Sequence, residues 1–428
     1  MGKGRTWRKR ERRNQRTNES LSCQTEYISL RKWMKAEGNF QCPKLIPYIF
    51  SETGRGLMTL KSLKPGDLLL SVSDKLIITS ATVLSSDIGH WIKKCEPPLS
   101  AHQVLAIFLL NERAKGPHSF WYPYLHLLPD KFDTPVFWSP AILNRLPHPA
   151  LACAQASLHS LHTAYTHVYT WCKSVCPHLA PLLSSQEDFF WAWYAVNSRC
   201  VYMEVPHSSF IQDVQKNYAL VPFLDLLNHS PQTQVSAKFN KVKKSFELVT
   251  ENSFPKYGQV FIKYGCHSNT ELVVEYGFAI PQNPYNVYEF LLDDILTVAK
   301  KLNVTCLEQK EKILYSNQFD TGLTCVDDEI FFSWKLLAVV HILLLPWPQI
   351  QNWKSSISTV SLSCVCREKK LLAMTLIQFA IEKLQRQQSQ TDQSICNNHS
   401  AIHYELCMTL WQDNFTILEK AQEILTPL

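Results

Sequence analysis

The hydrophobic period of this chain switches repeatedly, and the order of the switches restricts its fold more than any other feature. Ser29 to Glu37 reads as a short helix with Leu30, Trp33 and Met34 on one side. Leu45 to Phe50 and Asp67 to Val72 then read as short strands, punctuated by Gly54-Arg55-Gly56 and by Pro65-Gly66. From about residue 100 to 197 the apolar spacing is helical, over Ala101–Ala114, Leu151–Cys172 and Glu187–Val196. Strand character returns at Ser245–Thr250 and, behind a Gly258 turn, at Gln259–Tyr264. Beyond about residue 290 the pattern is helical to the end, with long amphipathic segments at Glu368–Gln388 and Ala401–Leu425. A β-rich module interrupted by a helical block and followed by a separate helical domain satisfies this order, so the fold class is α+β.

Charge is concentrated at one end. Residues 1–16 carry eight basic side chains against the single acid Glu11, so the rest of the chain is close to neutral. A body of that kind does not read as a sequence-specific nucleic-acid binder. The basic block itself has three readings: a solvated arm, a nuclear-import or nucleic-acid tail, and a myristoylation signal at Met1-Gly2 with Thr6. No apolar stretch follows it, and the longest apolar run, Leu336 to Leu345, contains His341 and stops at Pro346. It falls short of the roughly 20 residues that span a bilayer, so no membrane association is expected. The 14 cysteines lack paired zinc spacing: Cys364-x-Cys366 and Cys172-x-x-x-Cys176 each stand alone. They read as reduced thiols of an intracellular protein, cytoplasmic and nuclear. His159, His162 and His167 recur on one helix without supporting carboxylates or thiolates, so no metal is expected there.

Glycine is scarce, 12 in 428 residues, so its positions are informative. Gly54-x-Gly56 lacks the third glycine of a dinucleotide fingerprint. It is either a plain β-turn or a turn that lets backbone approach a ligand closely. Asp225, Asn228 and His229 lie in the otherwise apolar stretch Phe223–Pro231, where buried polar groups require partners. They form a structural polar turn or part of a site. Tyr264-Gly265 and Tyr276-Gly277-Phe278 flank Ser268-Asn269-Thr270-Glu271, and either tyrosine could be a core residue with its hydroxyl satisfied.

Taken in order, G-x-G, Asn197-Ser198-Arg199, D-x-x-N-H-S, Y-G, S-N-x-E-L and Y-G-F resemble the motifs of the SET-domain methyltransferases. The chain is most similar to the branch that includes the Rubisco large-subunit lysine methyltransferase and the actin histidine methyltransferase. Phe120-Trp121-Tyr122-Pro123-Tyr124-Leu125 looks like that branch's marker within its helical insertion. The resemblance covers about residues 25–425. It implies a basic arm (1–24), a SET domain in two parts (25–100 and 198–280) around a helical insertion (101–197), and a helical substrate-binding domain (281–428). A pseudoknot in the SET domain is implied as well.

The resemblance also implies S-adenosylmethionine as cofactor and a protein lysine, on a histone or another protein, as acceptor. Thr53, Gly54, Arg55 and Gly56 would lie along the methionine part of the cofactor, and Arg199 would grip it. Asp225, Asn228 and His229 would hold its ammonium and adenine, and Phe278 would sit beside the adenosine. Tyr264 would be the catalytic tyrosine, next to the cofactor, and Tyr276 a second tyrosine lining the substrate channel. Two departures stand out: Thr53 replaces a residue that is often acidic, and the flanking zinc modules of many histone-modifying relatives are absent. The alternatives are a protein-histidine methyltransferase and a non-catalytic SET-fold interaction protein.

Overall fold

The computed structural model describes residues 19–212, 217–326, 332–357, 367–391 and 401–426. The basic block and the Cys364-x-Cys366 pair lie outside the described residues. The chain divides into two compact units, one containing the described residues up to Phe132 with His159–Cys266, the other Asp133–Leu158 with His267 onward.

The first unit carries eleven strands among the described residues: β1 (Glu19–Ser20), β2 (Leu45–Phe50), β3 (Gly54–Thr59), β4 (Leu68–Ser73), β5 (Ile78–Thr79), β6 (Cys200–Tyr202), β7 (Tyr218–Leu220), β8 (Asn228–His229), β9 (Val235–Asn240), β10 (Ser245–Thr250) and β11 (Gln259–Ile262). They form three small sheets, ordered β1-β2-β3-β11-β8, β4-β10-β9 and β5-β7-β6. Residues 54–56, expected as a turn, instead open strand β3, with Phe50 paired to Gly54 and Tyr48 to Gly56. The chain reverses over the three residues 51–53. Gly54 then adopts φ +71°, a left-handed conformation that glycine takes without a Cβ penalty.

The long helices of this unit are α1 (Thr25–Gly38), α2 (Ala101–Ala114), the His159–Val175 part of α3 (His148–Val175) and α4 (Gln186–Asn197). Helix α1 buries Tyr27, Leu30 and Met34 along one face. It stops where Asn39 takes φ 46° and the amides of Asn39 and Phe40 bond back to Lys35 and Met34, a Schellman ending. Helix α2 starts with a capping box between Ser100 and Gln103 and packs on α4. It is buried on nearly every face, so its apolar content carries no clean amphipathic stripe.

The second unit is helical, with α5 (Leu292–Lys301), α6 (Leu307–Ser316), α7 (Trp334–Leu344), α8 (Arg367–Thr391) and α9 (Ala401–Leu425). Its core brings together Ile295, Leu336, Val339, Leu343, Leu376, Ile377 and Leu418, each fully or almost fully removed from solvent. The helical region expected beyond residue 290 is present. It also holds an antiparallel ribbon of β12 (Val287–Glu289) and β13 (Thr324–Val326) that the sequence did not reveal. Three-residue strands are too short to display a two-residue alternation.

Candidate active site

The polar residues singled out in the first unit converge where its largest sheet splits. Strand β11 pairs antiparallel with β3 at Gln259–Met58 and Val260–Leu57. After Val260 it pairs parallel with β8, matching Phe261 to Asn228 and Ile262 to His229. Across this junction the Asn228 side-chain amide donates to the Arg55 carbonyl at 3.0 Å. Thr53 donates its hydroxyl to Gln259 Oε1 at 2.8 Å, and Arg55 Nη1 donates to the Leu127 carbonyl at 2.7 Å. Thr53, Gly54, Arg55, Gly56 and Asn228 therefore occupy one small region despite some 170 residues of intervening chain.

Directly before β8 the backbone is strained. Phe223 has φ 74° in a fully buried position, uncommon for a bulky residue. Its ring packs 5.1 Å from Phe40, and the Arg31 guanidinium lies 5.7 Å from the ring centre. The strained turn delivers Asp225 to a buried cluster. Arg199 Nη1 donates to the Asp225 carboxylate at 3.2 Å and to the Asp225 carbonyl at 3.0 Å. Tyr124 donates its hydroxyl to the same carboxylate oxygen at 3.2 Å. Burial, then the Asp225 charge, holds the Tyr124 phenol well above its ordinary range, so it remains a donor. With only 4% of the Asp225 side chain and 15% of Arg199 exposed, removing either partner would strand a buried charge.

Tyr264 closes the other side. Its hydroxyl donates to the Leu227 carbonyl at 2.8 Å, and its backbone amide donates to His229 Nδ1 at 3.0 Å. Because Nδ1 accepts, it carries no proton. Ser230 donates its amide to the Ile262 carbonyl at 2.9 Å, so residues 227–230 and 262–264 grip each other at successive positions. This mutual grip of two distant segments satisfies the Leu227 carbonyl, the Ser230 amide and His229 Nδ1, while Asp225 and Asn228 find their partners in Arg199, Tyr124 and the Arg55 carbonyl. Burial pushes the Tyr264 phenol up to about 12, with Arg199 opposing and Asp225 adding to the shift.

Tyr276 and Phe278 belong to the second unit. Tyr276 ends the π-helical turn Leu272–Tyr276, its ring 5.8 Å from His267 and 6.2 Å from Phe278. Gly277 follows at φ +81°, where an added Cβ would lie 2.8 Å from the Asp133 backbone. Sequence reasoning missed Tyr124 and Gln259. Tyr124 sits within a recognised motif, but nothing local shows that its hydroxyl reaches residue 225. Gln259 looks like an ordinary polar residue of a strand. Of the insertion's histidines, His162 packs edge-on to Phe190 at 5.1 Å, and Gln103 and His167 lie 3.4 Å apart. No group of three metal-ligating side chains occurs among the described residues.

Residues 54–265 match the model of the SET domain. The chain is 36% identical to SET domain-containing protein 4 of Mus musculus over 82% of this chain and 81% of the relative. It is 32% identical to the Homo sapiens protein of the same name over 100% of this chain and 98% of the relative. In three dimensions it resembles the crystal structure of the SET domain of LSMT bound to lysine and AdoHcy, with TM-score 0.69 and 20% identity over 95% of this chain and 92% of that one.

Proposed function

The chain belongs to the SET-domain family, and from that membership we propose that it is an S-adenosylmethionine-dependent protein-lysine N-methyltransferase. The observation that carries the reading is the junction of β3, β8 and β11, where Asn228, Arg55 and the Tyr264–Leu227 hydrogen bond converge. The donor set fits the cofactor. Arg199 Nε and Gln259 Nε2 are buried without a partner among the described residues, which leaves donor capacity for an acceptor-rich molecule. Arg199, Asp225, Asn228 and His229 would hold the cofactor with residues 53–56, and the assignment of Phe278 to the adenosine rests on the motif resemblance. Bound there, S-adenosylmethionine supplies an electrophilic methyl group on a sulfonium.

The chain's own contribution is positioning and exclusion of water, which suits an in-line displacement. Tyr264 is the proposed catalytic residue. With its phenol raised to about 12 it stays protonated at physiological pH, so it acts as a fixed dipole and does not take the acceptor's proton. Its oxygen keeps lone pairs for weak C–H···O contacts to a transferring methyl group. The lysine must therefore arrive deprotonated or lose its proton to solvent, as an apolar channel favours. The assignment of Tyr276 to that channel rests on the motif resemblance.

The LSMT structure that shares this fold holds lysine, which supports a lysine acceptor. The second reading, a histidine acceptor, is favoured by the motif likeness to the actin histidine methyltransferase. The partner is a protein substrate, histone or otherwise. A cytoplasmic and nuclear location is proposed from the basic block, and no described helix is long and apolar enough to cross a membrane.

The test is transfer of labelled methyl from S-adenosylmethionine into nuclear and cytoplasmic extracts, with the modified residue mapped by mass spectrometry. Tyr264→Phe should lower incorporation at least about tenfold while AdoHcy affinity stays within about twofold. Label on lysine supports the proposal, label on histidine selects the second reading, and full activity in Tyr264→Phe removes the catalytic role of the hydroxyl.

A further inference from the structure

Asn269, part of the S-N-x-E-L motif, has no role in the site described above, although it is 1% exposed. Its neighbours Ser268 and Glu271 form a capping box that opens the short helix Asn269–Glu271, which runs directly into the π-helical turn Leu272–Tyr276. The Asn269 side chain takes no part in that cap. Its Nδ2 donates to the Ile280 carbonyl at 2.9 Å and to Asp413 Oδ2 at 2.8 Å. Its Oδ1 accepts from the Ile280 amide at 2.9 Å and from Asn283 Nδ2 at 3.2 Å. Its backbone amide donates to Asn286 Oδ1 at 2.8 Å, and Asn283 Nδ2 also reaches the His267 carbonyl at 2.9 Å. The loop from His267 to Asn286 is thus closed on one saturated, buried amide.

The charged member of this network is Asp413, in the middle of α9, which Asn286 also contacts. Helix α9 holds the same loop on its apolar side as well: Cys407 and Leu410 cluster with Val273 and Val274 of the π turn and with Trp138 and Ile142. We propose that Asp413 is a positioning residue that, through Asn269, fastens the turn carrying Tyr276 and Phe278 to the C-terminal helix. The last helix then belongs to the machinery that aims these two aromatic rings. A hydrogen bond from a buried amide to a carboxylate is stronger than one between neutral groups, so its loss removes a strong local restraint on the loop. The link to methyl transfer rests on the proposed channel role of Tyr276.

The experiment uses the full chain as wild type, Asp413→Asn, Asp413→Ala and Tyr276→Phe. Three quantities are measured: hydrogen–deuterium exchange over residues 268–286, AdoHcy affinity by calorimetry, and labelled-methyl incorporation into dialysed cell extract. Exchange should quicken about threefold in Asp413→Asn, which keeps one oxygen for Asn269, and about tenfold in Asp413→Ala. Incorporation should fall in the same order, and AdoHcy affinity should weaken in step, because Phe278, the proposed neighbour of the adenosine, rides on the same loop. Wild-type exchange in Asp413→Ala overturns the proposal, as does incorporation that fails to follow exchange in either variant. If Asp413→Ala does not fold, Asp413→Asn decides by the same two readings. Full incorporation in Tyr276→Phe would remove Tyr276 from the channel and leave the exchange result to judge the fastening. A loss in Tyr276→Phe beside wild-type behaviour of both Asp413 variants overturns the positioning role alone.

Discussion

At Gly56 one added carbon would be felt by three side chains at once. Its Cβ would lie 2.7 Å from Gln259 Nε2, 2.9 Å from Asn228 Nδ2 and 3.3 Å from the Phe50 ring. Both nitrogens end flexible side chains, so the fold can absorb the intrusion by moving them, but Asn228 would then lose the Arg55 carbonyl. Gly56→Ala should weaken AdoHcy binding about tenfold while changing unfolding free energy by no more than about 1 kcal/mol, read by calorimetry and urea titration. Unaltered affinity would separate Asn228 from the cofactor site. The sequence marked Gly56 as unusual because glycine is rare in this chain, but it offered turn conformation as the reason. The actual reason is the approach of residues 228 and 259, which no local pattern can display. The same holds for Tyr124, whose partner Asp225 lies 101 residues away.

Among elements, the contrast is between those that carry their own signal and those that exist only because something holds them. Strand β2 and helix α9 have the bounds expected from their periodicity, Leu45–Phe50 and Ala401–Leu425. Strand β8 is two residues long and has no pattern of its own; it forms because β11 offers an edge and Phe223 accepts strain to turn the chain toward it. Helix α6 adds a buried lysine that binary patterning would exclude. Lys310 is 1% exposed, and its Nζ donates to the Leu343 carbonyl in the last turn of α7 at 2.7 Å, where the helix dipole favours a cation. Burial lowers the pKa of Lys310 below its ordinary 10.5. The unfolded chain therefore binds the proton more tightly, and stability from this group rises with pH between the lowered folded value and 10.5. Lys310→Met lacks this rise. Urea midpoints compared from about pH 8 to 11 should shift progressively in favour of wild type, and a constant difference would refute the linkage.

For the whole molecule, charge distribution matters more than total charge. The formal +6 comes from residues 1–16, while residues 17–428 are nearly neutral. A cluster of basic residues of this kind can act in transport or surface association. Deletion of residues 1–16 should lower the nuclear fraction of a tagged protein and leave turnover on a short peptide unchanged. A wild type confined to the cytoplasm would remove the import reading, and altered peptide turnover would give the basic block a part in catalysis.

The sequence alone determined the succession of β-rich and helical regions, because burial imposes a period of two or 3.6 on whatever is half-buried. It also carried the motif order, and with it the family, since those residues are read along the chain. Tertiary structure decided the rest. It split the sheet at β11, set Asn228 on the Arg55 carbonyl, gathered Tyr124 and Arg199 around Asp225, and tied Asn269 to Asp413. Each of these is a hydrogen bond across tens to hundreds of residues. Such a bond leaves no periodicity behind, because its partner is chosen by the path of the folded chain and not by spacing along it.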